Sequence, residues 1–150
     1  MKWFMLVYKL PKSKTSATKV SIWRKLKKLG VYPLQDSVCL LPNSERTLEN
    51  LEWLAEEIKE MGGEATLWLT SSLVKEEEER ITEYFLEQTN KQYEEIIKSA
   101  LDSVSIKHLQ SLWTLYNRVK LQDYLKSPLW IEVKGTLERK AQDLTRKGEE

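Results

Sequence analysis

Six basic side chains near the start of the chain, Lys9, Lys12, Lys14, Lys19, Arg24 and Lys28, lie close enough in sequence for several of them to face one anionic surface. Ammonium and guanidinium groups on one surface bind phosphate or another oxyanion, with an affinity that is salt-dependent and largely independent of sequence. Lys9, Lys12 and Lys14 fall in or beside a loop, and Lys19, Arg24 and Lys28 in the helical pattern that follows. Lys19 is the unusual member, because its helical angle places it on the apolar stripe between Trp23 and Leu26. A charge there needs a partner, a route to water or an anion. A solvated basic surface would present much the same pattern.

Other chemistries find weaker support. His108 is the one histidine and Cys39 the one cysteine, and no ligand spacing around them suggests a metal site. Cys39 sits within the apolar run Val38-Cys39-Leu40-Leu41, where a thiol packs as a small hydrophobe. Glu76 to Glu79 open a helix and suit its dipole. Gly62-Gly63 lacks the following Lys-Ser/Thr of a phosphate-binding loop. No catalytic residue, metal ligand or cofactor is therefore expected.

The charges are unevenly distributed. Residues 1–35 hold nine Lys/Arg and no Asp/Glu, which leaves 15 basic against 23 acidic residues in the remainder, although the net charge is only +1. The asymmetry points either to an anionic partner or to attraction between the two parts of the fold. At 41% hydrophobic and 31% charged, with six Trp and six Tyr, the chain is too apolar to be disordered. It carries no signal-peptide pattern and no run of about 18 apolar residues that would span a membrane. A lone cysteine suits a reducing compartment, so a cytoplasmic location is expected.

The secondary structure that carries the basic residues follows from periodicity. Residues 3–10 read as a strand halted by Leu10-Pro11. A helix from about Ser16 to Leu29 places Ile22, Trp23, Leu26 and Leu29 on one side and Arg24, Lys25 and Lys28 on the other, and Gly30 closes it. Val31–Leu34 and Val38–Leu41 are short strands about Gln35-Asp36-Ser37, and Pro33 confines the first to a sheet edge. A second helix, capped by Asn43 or Ser44, carries Leu48, Leu51, Leu54, Ala55, Ile58 and Met61 at steps of three and four, ends at Gly62-Gly63, and precedes the alternating strand Ala65–Thr70. The order β-α-β-β-α-β predicts an α+β, ferredoxin-like domain over 1–74, with both helices on one face of an antiparallel sheet. Residues 75–150 read as a helical subdomain of about three helices, the last opened by Ser127-Pro128.

Four stretches also resemble the amino-terminal domain of ChrB-type chromate resistance proteins. They are Leu10-Pro11; Lys19-Val20-Ser21-Ile22-Trp23-Arg24-Lys25-Leu26-Lys27-Lys28-Leu29-Gly30; Leu34-Gln35-Asp36-Ser37-Val38-Cys39-Leu40-Leu41-Pro42; and Gly62-Gly63-Glu64-Ala65. A weaker match, Tyr93-Glu94-Glu95-Ile96, extends the resemblance to about residue 100. Lys19 stands where the family has Arg and cannot copy its bidentate fork, and Ser37 stands where it has Gly. The resemblance implies a cytoplasmic, non-enzymatic protein linked to chromate resistance. A chromate-responsive transcriptional regulator that contacts DNA or the oxyanion is the form it suggests. Abilities resting on the family's separate carboxy-terminal domain are not carried over. The same features are similar to the middle domain of PaaX-type repressors and to small CRISPR-associated ferredoxin-like proteins that dimerise, so a homodimer is expected. The nuclease activity of that last group needs an acidic residue ending the first strand, and Tyr8-Lys9-Leu10 has none. A dimerising interaction module is the alternative function, and a Cys39-dependent chromate reductase a distant third.

Overall fold

The structure, a computed structural model, describes residues 1–12 and 16–149. The elements run β1 (Trp3–Lys9), α1 (Ser16–Leu29), β2 (Tyr32–Gln35), β3 (Val38–Pro42), α2 (Glu45–Glu60), β4 (Glu64–Thr70), α3 (Lys75–Leu101), α4 (Ile106–Leu121) and α5 (Leu129–Glu149). The sheet order is β2-β3-β1-β4, antiparallel throughout, which is the ferredoxin-like arrangement expected from the element order. Pro33 lies on the edge strand β2, where its missing N–H leaves no ladder bond unmade. The chain divides into two compact units, Met1–Thr82 and Glu83–Glu150.

Strand register sets which side chains reach the helices. Leu6 stands opposite Cys39 and Leu67, Phe4 opposite Leu41, and Tyr8 opposite Ala65, so these residues share one sheet face. Helix α1 brings Ile22 and Leu26 into the core, and α2 brings Leu51, Leu54, Ala55 and Ile58. Fully burying one such aliphatic side chain is worth about 1.5 to 3 kcal/mol. Of the two cap candidates the structure uses Ser44. Its hydroxyl accepts from Thr47 N at 3.1 Å, while Ser44 N donates back to Thr47 Oγ1 at 3.1 Å. The Thr47 hydroxyl, fully buried, also donates to the carbonyl of Pro42 at 2.5 Å, tying the helix start to the end of β3.

The Gly62-Gly63 turn has two separate backbone requirements. Gly62 adopts φ +92°, a left-handed conformation that favours glycine. At Gly63 a Cβ would come within 2.6 Å of the Lys9 carbonyl oxygen and 2.9 Å of Ile58 Cγ2, so only glycine lets the turn pack against the end of β1.

The second unit is helical. Tyr93, Ile96, Ala100, Leu109, Leu112, Tyr116, Val119, Val133 and Leu137 form its core. Ser127 N donates to Asp123 Oδ1 at 2.8 Å, and Leu129 N donates to Ser127 Oγ at 3.2 Å at the start of α5. Tyr93 Oη donates to the second Asp123 oxygen at 3.0 Å, which pins this loop to α3.

Candidate anion-binding cleft

Of the six basic residues singled out in the sequence, the structure describes five and separates them. Lys9 and Lys19 line one cleft of about 730 Å³, formed by the end of β1, the first turns of α1 and the β2–β3 hairpin. Lys28 lies elsewhere, in a groove between α1 and α2 shared with Lys25, Trp53, Glu56, Glu57 and Glu60. Lys12 and Arg24 are exposed and line neither cavity. Lys14 lies outside the described residues.

Part of the charge asymmetry is thus answered within the first unit. Lys25 Nζ pairs with Glu57, and α2 carries six glutamates beside a helix α1 that has five basic residues and no acidic one. Among the described residues no ion pair engages Lys9, Lys12, Lys19 or Arg24. Glu64 stands opposite Lys9 in the β1–β4 register without forming one.

Two expectations about α1 need correction. The stripe that the helix buries is narrower than its apolar sequence, because only Ile22 and Leu26 are fully covered. Trp23 is 51% exposed, and Lys19 is exposed beside it. Both lie on the side where the cleft opens, which gives the Lys19 ammonium its route to water. The two are four residues apart, hence neighbours on one helix face.

The cleft adds polar groups that sequence reasoning passed over. Tyr8 N donates to the Ser37 carbonyl at 3.0 Å, and the Tyr8 and Ser37 side chains both line the cleft. Ser37 adopts φ +63°, so the turn Gln35-Asp36-Ser37 was the available signal for an unusual backbone at this spot. Burial pushes the Tyr8 hydroxyl above its ordinary pKa, Cys39 and Asp36 add to the rise, and the neighbouring Ser37 side chain opposes it. Tyr8 is therefore a neutral hydroxyl at physiological pH. Among the charged residues lining the cleft, two lysines outweigh Asp36.

Cys39 also lines the cleft but is only 4% exposed, and burial pushes its thiol up to about 12. At neutral pH its thiolate fraction is on the order of 1 in 100,000, which makes it a poor nucleophile and reductant. His108 lies in the first turn of α4, its Nδ1 2.9 Å from Ser103 Oγ and its backbone N–H donated to the Ser105 cap. Among the described residues no three His, Cys, Asp or Glu side chains are grouped to hold a metal ion, and no helix is long and apolar enough to cross a membrane.

Fold and cleft together define a ferredoxin-like α+β domain with a cationic, tryptophan-edged cleft at one end of its sheet. The family profile described as "Protein ChrB, N-terminal" matches residues 19–103, more than half of the chain, and the chain belongs to that family. Membership associates it with chromate resistance. The matched stretch holds Lys19, Trp23, Ser37 and Cys39 of the cleft and continues through α3. No curated protein matches the chain.

Proposed function

We propose that this protein is a cytoplasmic, non-enzymatic component of chromate resistance, a chromate-responsive regulator that binds an oxyanion in the Lys9–Lys19 cleft. The exposed Lys12 and Arg24 would serve DNA phosphates. The observation that carries this reading is the pairing of two lysines, neither engaged by a carboxylate among the described residues, in one cleft with a neutral tyrosine hydroxyl. Ammonium groups supply the charge, and hydroxyls supply directional donors that a tetrahedral oxyanion accepts.

Calorimetric titration with chromate and with sulfate, alongside fluorescence polarisation on duplex DNA at low salt, tests the proposal. Saturable anion binding that weakens as salt rises supports it. Absence of binding to either anion and to DNA rejects it.

A second reading is favoured by one specific feature. Trp53 is 73% exposed in the α1–α2 groove, flanked by Lys25 and Lys28 on one side and Glu56, Glu57 and Glu60 on the other. A two-fold axis through such a groove would lay the basic helix of one copy over the acidic helix of the next, as an isologous interface requires. Sedimentation of the wild type and of Trp53→Glu distinguishes a dimer built on this groove from a monomer.

A further inference from the structure

The cleft is larger than an inorganic oxyanion needs. A tetrahedral oxyanion displaces little more than a couple of waters, each about 30 Å³, whereas cavities of roughly 300 to 1,000 Å³ are the size that holds organic ligands. This cleft measures about 730 Å³, and the exposed side chains that line it include the apolar Trp23 and Pro33 as well as the two lysines. A bare anion gains nothing from those apolar surfaces and would leave them wet.

Trp23 supplies the missing element. Its indole is half exposed at the cleft edge, one helical turn from Lys19, so an aromatic ring and an ammonium group line the same space. Flat rings stack on indole with a preference over saturated rings of equal size, because the contact draws on the ring quadrupole as well as on buried area.

The geometry points to an organic anion with a flat, unsaturated ring as the ligand of this cleft, its charged group held by Lys9 and Lys19 and its ring laid against Trp23. The inference rests on the anion-binding reading of the cleft and names the class of ligand. Asp36, at the hairpin turn, favours a ligand whose charge is confined to one end, because a second anionic group would face its carboxylate.

Three probes with one charged head separate the contributions: phenyl phosphate, cyclohexyl phosphate and inorganic phosphate, each titrated calorimetrically into the full chain. Phenyl phosphate is expected to bind about tenfold more tightly than inorganic phosphate and several-fold more tightly than cyclohexyl phosphate. Trp23→Ala should abolish that preference while leaving the affinity for inorganic phosphate unchanged, and Trp23→Phe should keep most of it. Lys19→Met should weaken all three together. Trp23 is half exposed, so its variants should fold, and circular dichroism verifies this. Equal binding of the three probes, or a ring preference that survives Trp23→Ala, overturns the inference while the anion site stands. Failure of all three probes, and of chromate, removes the anion site itself.

Discussion

Cys39 should make the protein sensitive to mild alkali without making it redox-active. The thiol is pushed from an ordinary 9.0 up to about 12 by burial in the sheet, at 4% exposure. Between those values the unfolded chain ionises and the folded one does not, so the unfolded state sheds its proton first. The stability tied to the neutral thiol is fully present below pH 9 and is lost as pH rises toward 12. Three pH units correspond to about 4 kcal/mol in all, of which about 1 kcal/mol falls between pH 9 and 10. The narrower window is the better test, because Tyr8, Tyr93 and Tyr116 are also raised from 10.0 and contribute above it. Urea unfolding at pH 8, 9 and 10 should show this decline in the wild type. Cys39→Ala should begin about 1 kcal/mol less stable from lost packing, yet decline less steeply with pH. Equal pH dependence in the two proteins, or rapid reaction of the native thiol with a disulfide reagent at pH 7, would show that Cys39 is not held as a buried neutral thiol.

Two further predictions concern the frame around the cleft. Gly63→Ala puts a methyl group into the Lys9 carbonyl and Ile58, and should lose about 2 to 3 kcal/mol of stability by urea denaturation and weaken anion binding with it; a change under about 0.5 kcal/mol would contradict the close approach. Thr47→Val keeps the shape of the buried side chain but removes the hydroxyl that joins Ser44 N to the Pro42 carbonyl. It should lose about 2 kcal/mol by the same measure, against about 1 kcal/mol for Ser44→Ala, and the reverse order would count against the tie to β3.

Much of the fold was legible because it rests on local rules. Pro33 marked the edge strand, Gly62-Gly63 marked the turn, and the apolar steps of α2 marked its buried face. The candidate site was legible only in part, since its parts meet through tertiary contacts. Helical angle alone put Lys19 and Trp23 on the covered side of α1, but the width of a covered stripe depends on what the helix lies against. The pairing of Lys25 with Glu57 joins residues 32 apart in sequence, and nothing local distinguished Lys28, in the same groove, from Lys9. The Tyr8–Ser37 contact depends on a hairpin turn with a left-handed serine, which the spacing of strands alone does not specify.

If the Lys9–Lys19 cleft, and not the general positive charge of residues 1–35, holds the anion, lysines inside and outside the cleft will contribute unequally to binding. Lys9→Met/Lys19→Met and Lys25→Met/Lys28→Met remove equal charge from the same unit, the first pair from the cleft and the second from the α1–α2 groove. Titration of both double variants with chromate, at one fixed low ionic strength, is the direct comparison. At least a tenfold loss of affinity is expected for the cleft pair and less than a threefold loss for the groove pair. Equal losses would show that the anion responds only to overall charge and that the cleft is not its site.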